Sequence, residues 1–138
     1  MGILLTKIRI SSFRSIESIS LDLGITNLII GQNNTGKSNF LRAINIAVSG
    51  IAEVSETDIY VAADERLEKS KSAVIDIVFQ PIDDDGNVIN EFSDYWTSVF
   101  TDAWITTHSE GNFVGIRTEI KYDIFRDSYI INRRCIRQ

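Results

Sequence analysis

Residues 31–38 read Gly-Gln-Asn-Asn-Thr-Gly-Lys-Ser and fit the spacing G-x-x-x-x-G-K-[ST], the pattern of a loop that wraps an oligophosphate. The chemistry needs these residue types. Gly31 and Gly36 give the backbone freedom and clearance for a close approach. Successive N–H groups can then converge on an anion at the positive end of the following helix. Lys37 supplies a mobile point charge for the β- and γ-phosphates, and Ser38 a hydroxyl for Mg²⁺. Asn34 sits within the tight part of the loop, where asparagine tolerates a left-handed backbone better than most residues.

Such a loop works only between a buried strand and a helix. The apolar run Asn27-Leu28-Ile29-Ile30 predicts the strand, which Gly31 ends. From Lys37 the period changes: Phe40, Leu41, Ile44, Ala47 and Val48 recur at three- and four-residue steps and predict one face of a helix, stopped at Gly50. Upstream, 3–10 and 16–23 predict two strands joined by a turn at Phe13-Arg14-Ser15. Residues 51–72 are acidic and weakly patterned, a loop with a short helix near 62–70. Downstream, 73–80 predicts a strand followed by a turn at Asp85-Gly86. Phe92, Trp96, Val99, Phe100 and Ala103 predict a helix over 91–105, its aromatic face a core face. Two further strands, 113–125 and 128–136, break at Arg126-Asp127. The order predicts an α/β or α+β chain with a partly antiparallel sheet. It divides into 1–50 (strands, phosphate loop and helix), an acidic connector over 51–72, and a β-lobe with one helix over 73–138.

Composition narrows the class. The chain has 138 residues, 43% apolar and 24% charged, which fits one globular unit and excludes disordered, collagen-like and coiled-coil readings. No apolar run approaches the roughly 18 residues of a membrane span, and no signal peptide opens the sequence. The single cysteine, Cys135, forms no internal disulfide and suits a reducing cytoplasm. The net charge of −5 is unevenly placed. Residues 1–52 carry five basic and two acidic side chains, 53–102 three basic and thirteen acidic, and 103–138 six basic and four acidic. The phosphate loop therefore lies in a positive segment, where an anionic ligand belongs.

The first strand, the Phe-Arg-Ser turn, the second strand and the run N-L-I-I-G-Q-N-N-T-G-K-S-N-F-L-R-A-I over 27–44 together resemble the N-terminus of ABC-type ATPases of the SMC and RecF group, within the AAA family. The version Gly-x-Asn-Asn-x-Gly-Lys-Ser-Asn is similar to the RecF-like ATPase domain of OLD-family endonucleases, the Gabija nuclease subunit included. The resemblance is close over 5–48 and extends beyond that only to the order of elements. It implies a P-loop NTPase fold: an ABC-type N-terminal lobe with a mixed or antiparallel sheet packed on the loop helix, an incomplete ATPase fold. It also implies ATP and Mg²⁺ as cofactors, held by Gly31, Asn33, Asn34, Thr35, Gly36, Lys37, Ser38 and Asn39, with Ser38 on the metal. Arg14 resembles a basic residue placed near the nucleotide phosphates. Implied partners are a second copy or the remaining ATPase half, with DNA met through the full-length assembly, in repair, nuclease regulation or phage defence.

Hydrolysis in that group also needs a Walker B strand ending in Asp-Glu, a Ser-Gly signature helix and a downstream His. Ile59-Tyr60-Val61-Ala62-Ala63-Asp64-Glu65 imitates the first, but it follows Lys37 too closely for the family order. Ser49-Gly50 closes a helix instead of opening one, Gln80 ends a strand ahead of the place of a metal-sensing glutamine, and His108 stands alone. The chain is therefore expected to be the N-terminal part of a larger ATPase, with little turnover by itself. One alternative is a non-hydrolysing regulator of a partner ATPase. A second is a GTPase-like switch, because Asp83-x-x-Gly86 follows an apolar strand 46 residues after Lys37. Against that stand the missing Asn-Lys-x-Asp motif and the two strands before the loop. Asp83-Asp84-Asp85-Gly86 also imitates a calcium loop, but Pro81 and Phe92 fall at ligand positions. Arg133, Arg134 and Arg137 are a solvated strand edge more readily than a DNA grip.

Overall fold

Six strands pair antiparallel throughout the residues that the computed structural model describes, 1–23, 34–49, 53–62 and 70–137, with backbone alone for 34–37. The strands are β1 (Gly2–Phe13), β2 (Ile16–Asp22), β3 (Ala73–Ile82), β4 (Ile105–Thr106), β5 (Phe113–Asp123) and β6 (Ser128–Ile136). The sheet runs β2-β1-β3-β5-β4, and β6 also pairs with β5. Among the described residues two helices, α1 (Asn34–Ser49) and α2 (Asp94–Trp104), and a 3-10 turn at Glu56–Asp58 accompany the strands. The strand expected at 27–30, the helix stop at Gly50 and the body of the short helix expected near 62–70 lie outside the described residues.

Alternation sets the two faces of the sheet. Ile8, Ile10, Ile75, Ile77 and Ile120 point to one side and are almost completely buried; each such side chain stabilises the fold by about 1.5–3 kcal/mol. Phe40, Ala43, Ile46 and Ala47 of α1 close over them. The expected helix face is thus turned by about one position: Leu41 and Val48 are exposed and Ala43 is fully buried. The small side chains of Ala43 and Ala47 let the helix lie close to the strands, and that fixes its rotation. A bulge at Thr6 resets the pleat, since Leu5 pairs with Phe79 while Lys7 pairs with Val78. The extra residue keeps Leu5 and Ile8 on the same face despite their odd spacing.

α2 covers the other end of the same face. Phe100 lies 6.3 Å from Phe79 and 5.7 Å from Phe92, and Trp96 stacks on Phe100 at 5.6 Å. Phe92 belongs to this cluster but precedes the helix, because Ser93 adopts an extended backbone and its hydroxyl accepts the Trp96 N–H. That cap sets the start of the helix at Asp94, three residues inside the expected boundary.

The last turn of α1 contains no basic residue. Arg133 of β6 reaches across instead and donates to the Ile46 carbonyl, placing a cation at the negative end of the helix. Burial pushes this guanidinium below its usual range. On the opposite face, Ile136 folds over Gly115: a Cβ there would stand 2.6 Å from the Ile136 carbonyl oxygen and 2.7 Å from its Cγ1. Gly115→Ala is expected to cost about 1–3 kcal/mol by overpacking. A urea midpoint equal to that of the wild type would refute this contact.

Candidate functional site

α1 begins at Asn34, so the second half of the phosphate pattern, Asn34 to Ser38, forms its first turn. Gly31 and Asn33 lie outside the described residues, and of Asn34, Thr35, Gly36 and Lys37 only the backbone is described. Ser38 is exposed on this turn and Asn39 is buried. The first turn of any helix leaves N–H groups without partners inside the helix and carries partial positive charge. Around it the sequence brings more of the same sign.

The turn between β1 and β2 lies beside the start of α1. Asn39 Nδ2 donates to Ser15 Oγ at 2.7 Å, and Arg14 Nη1 stands 3.5 Å from Asn39 Oδ1. Phe13 ends β1 instead of opening the turn, fully buried and bridged to Ile59. Ser12 and Arg14 take left-handed φ values of 56° and 49°, which cost roughly 1–2 kcal/mol each for side-chain-bearing residues. The connector fixes both. Tyr60 N donates to the Ser12 carbonyl at 2.8 Å, and Arg14 N donates to the Asp58 carbonyl at 3.0 Å.

Asp58 is the residue that sequence reading passed over. Its side chain is 1% exposed and sits between two guanidiniums. Oδ1 accepts from Arg14 Nε at 2.8 Å and from Arg42 Nε at 3.2 Å. Oδ2 accepts from the Ser55 amide at 3.0 Å, with Arg42 Nη2 at 3.5 Å. Arg42 also donates to the Glu53 carbonyl at 2.9 Å, tying α1 to the connector. Burial pushes the Asp58 carboxyl upward, but the bonds from Arg42, Arg14 and Ser55 outweigh it and hold the group below the usual carboxylate range. Two arginines on one carboxylate leave the cluster one unit positive. The available signal was Ser55-Glu56-Thr57-Asp58, a capping box whose reciprocal bonds are both present. Within an acidic run it read as solvated loop.

No other candidate among the described residues is gathered here. Asp64 and Glu65 lie outside the described residues. Asp83 sits just past β3, whose end lies beside the start of β1, while Arg14 follows the other end of that strand, roughly 36 Å away at about 3.3 Å per residue. The Asp83 carboxylate caps its own turn, accepting from Asp85 N at 3.0 Å and Asn87 N at 2.9 Å. That role explains the acidic turn without a metal, and the distance removes Asp83 as a GTPase-like partner of the phosphate loop. A cleft of about 550 Å³ between Ser55, Glu56 and the β5–β6 hairpin presents Glu56 and Asp127, the wrong sign for a phosphate. Among the described residues no group of His, Cys, Asp and Glu could hold a metal, and no helix is long and apolar enough to cross a membrane.

Over 60 residues the chain is 40% identical to the Old nuclease of Escherichia phage P2, covering 44% of this chain and 10% of that protein. The solved structure of the recombination mediator protein RecF, described as RecF-ATPrS in the RecFOR pathway, superposes with a TM-score of 0.53 at 17% identity. That superposition covers 99% of this chain and 29% of RecF, and at this identity it speaks for the fold alone. The chain thus spans a tenth of one relative and less than a third of the other. The AAA ATPase domain matches residues 4–134, nearly the whole sequence, and the chain belongs to that family.

Proposed function

We propose that this chain is the ATP·Mg²⁺-binding portion of a RecF- and OLD-like ATPase. The observation that carries the reading is the phosphate pattern itself: its Asn34–Ser38 half opens α1 beside a cluster of net positive charge. The donor set fits the ligand. The amides of a first helical turn and Lys37 suit an oligophosphate, and the exposed Ser38 hydroxyl suits a hard cation that prefers oxygen. Gly31, Asn33, Asn34, Thr35, Gly36, Lys37 and Asn39 would hold the nucleotide, Ser38 the Mg²⁺, and Arg14 would add a second cation. Held there, the metal would supply neutralisation of the phosphate charge. This chain's own residues bind and orient.

Asp64-Glu65 follows Lys37 too closely in sequence to serve as the acidic pair that hydrolysis requires, so turnover by the chain alone is expected to be undetectable. In a complete assembly, nucleotide would control pairing with a second copy or a further ATPase half, and through it access to DNA in repair, nuclease regulation or phage defence. The test is equilibrium binding of ATP·Mg²⁺ to the wild type and Lys37→Ala, with GTP alongside. A loss of at least tenfold on substitution, and weaker GTP binding, is expected. Undiminished binding by Lys37→Ala would sink the phosphate-loop assignment, and a preference for GTP would refute the ATP reading.

A further inference from the structure

We propose that Asp58 is a positioning residue, which sets Arg14 to distinguish a nucleoside triphosphate from a diphosphate. The inference rests on the nucleotide site proposed above and adds to it a residue 20 positions beyond Ser38. Its basis is that one residue holds Arg14 at two points, the backbone amide and the guanidinium. The Asp58 carbonyl accepts the Arg14 amide and so pins the strained left-handed backbone. The Asp58 carboxylate accepts Arg14 Nε at 2.8 Å and pins the guanidinium. Capping of the 3-10 turn needs only Oδ2, which takes the Ser55 amide. Oδ1 is given to Arg14 and Arg42, so this carboxylate does more than close its own turn.

An unrestrained arginine loses much rotamer freedom when it engages a ligand, and a pre-set one does not. Arg14 is pre-set at Asn39, one residue past Ser38, with 33% of its side chain still exposed. A planar guanidinium held there adds directional recognition of phosphate oxygens to the point charge of Lys37. The triphosphate, with the additional charged group, gains more from it than the diphosphate. Arg42 keeps the carboxylate in place when Arg14 turns part of its charge toward a ligand, because its Nη2 is also anchored on the Glu53 carbonyl.

The experiment measures ATP·Mg²⁺ and ADP·Mg²⁺ affinity by calorimetry for the wild type, Asp58→Asn, Arg14→Gln and the double variant. Asp58→Asn is expected to weaken ATP about fivefold to tenfold and ADP less than twofold, and the double variant to be no worse than Arg14→Gln. Equal losses for both nucleotides, or none, would overturn the inference and leave the nucleotide site standing. If the wild type binds neither nucleotide, the site reading falls and the inference with it. Should Asp58→Asn fail to fold, the wild type decides alone. Its Arg14 Nε–H resonance, assigned with Arg14→Lys, is expected to move with ATP·Mg²⁺ and stay with ADP·Mg²⁺. Identical responses to the two would overturn the proposal.

Discussion

Asp76→Ala is expected to lower the unfolding free energy by about 2–3 kcal/mol, seen as a drop in urea midpoint with an unchanged slope. Asp76 lies in the middle of β3 on the face away from the helices, 4% exposed. Its cross-strand neighbours are Arg9 of β1 and Arg117 of β5. Oδ1 accepts Arg117 Nε at 2.8 Å, and Oδ2 accepts Arg117 Nη2 at 2.9 Å, Arg9 Nη2 at 2.9 Å and Arg9 Nε at 3.2 Å. One carboxylate thus ties three strands. Removing it leaves two guanidiniums facing each other across the space it filled. Breaking a fully buried pair costs roughly 3–5 kcal/mol. The figure here is smaller because Arg9 and Arg117 are 58% and 30% exposed and solvent screens them. Replacing all three by apolar residues of similar volume is expected to be close to neutral. A midpoint for Asp76→Ala within experimental error of the wild type would show that the triad is ornamental.

The same residue shows what the sequence could and could not disclose. Within AVIDIVFQ a short run of β-favouring apolar residues is plain, and a strand follows from it. The partners of the lone aspartate stand 67 and 41 residues away, and nothing local points to them. β2, β3 and β6 fall within two residues of the expected bounds, because period two is a local signal. The rotation of α1 was not legible in the same way. Leu41 and Val48 satisfy helical spacing as well as Ala43 does, and only the closeness of the sheet decides between them. At the site, the phosphate pattern is legible in eight consecutive residues, and its Asn34–Ser38 part forms the start of α1. Arg14 was visible through the turn it occupies. The contacts of Asp58 and Asn39 with Arg14 span 44 and 25 residues of sequence, and no local pattern discloses them. A charge in an acidic run has no mark to separate it from its solvated neighbours until a fold brings arginines to it.

Acid is expected to unfold the chain through these two carboxylates. Burial raises both, but arginine hydrogen bonds outweigh it, so each folded-state pKa lies below its unfolded value. Unfolded aspartate titrates near about 3.9. Between the folded and unfolded values the unfolded chain binds more protons, and stability therefore rises with pH across that interval. The contribution is complete above about pH 5 and is lost as pH falls through the unfolded value toward the folded one. The arginines stay charged throughout. Protonation of Asp58 or Asp76 consequently leaves two cations around a neutral acid, the same situation that Asp76→Ala creates at neutral pH. The urea midpoint should hold steady from about pH 5 upward as far as these groups determine it, and fall steeply below about pH 4. Asp76→Asn should start lower and lose part of that slope, and Asp58→Asn another part, because the two clusters share no residue and should act independently. An acid limb of unchanged steepness in both variants would mean that other carboxylates set it, and that neither clamp contributes the stability that its geometry implies.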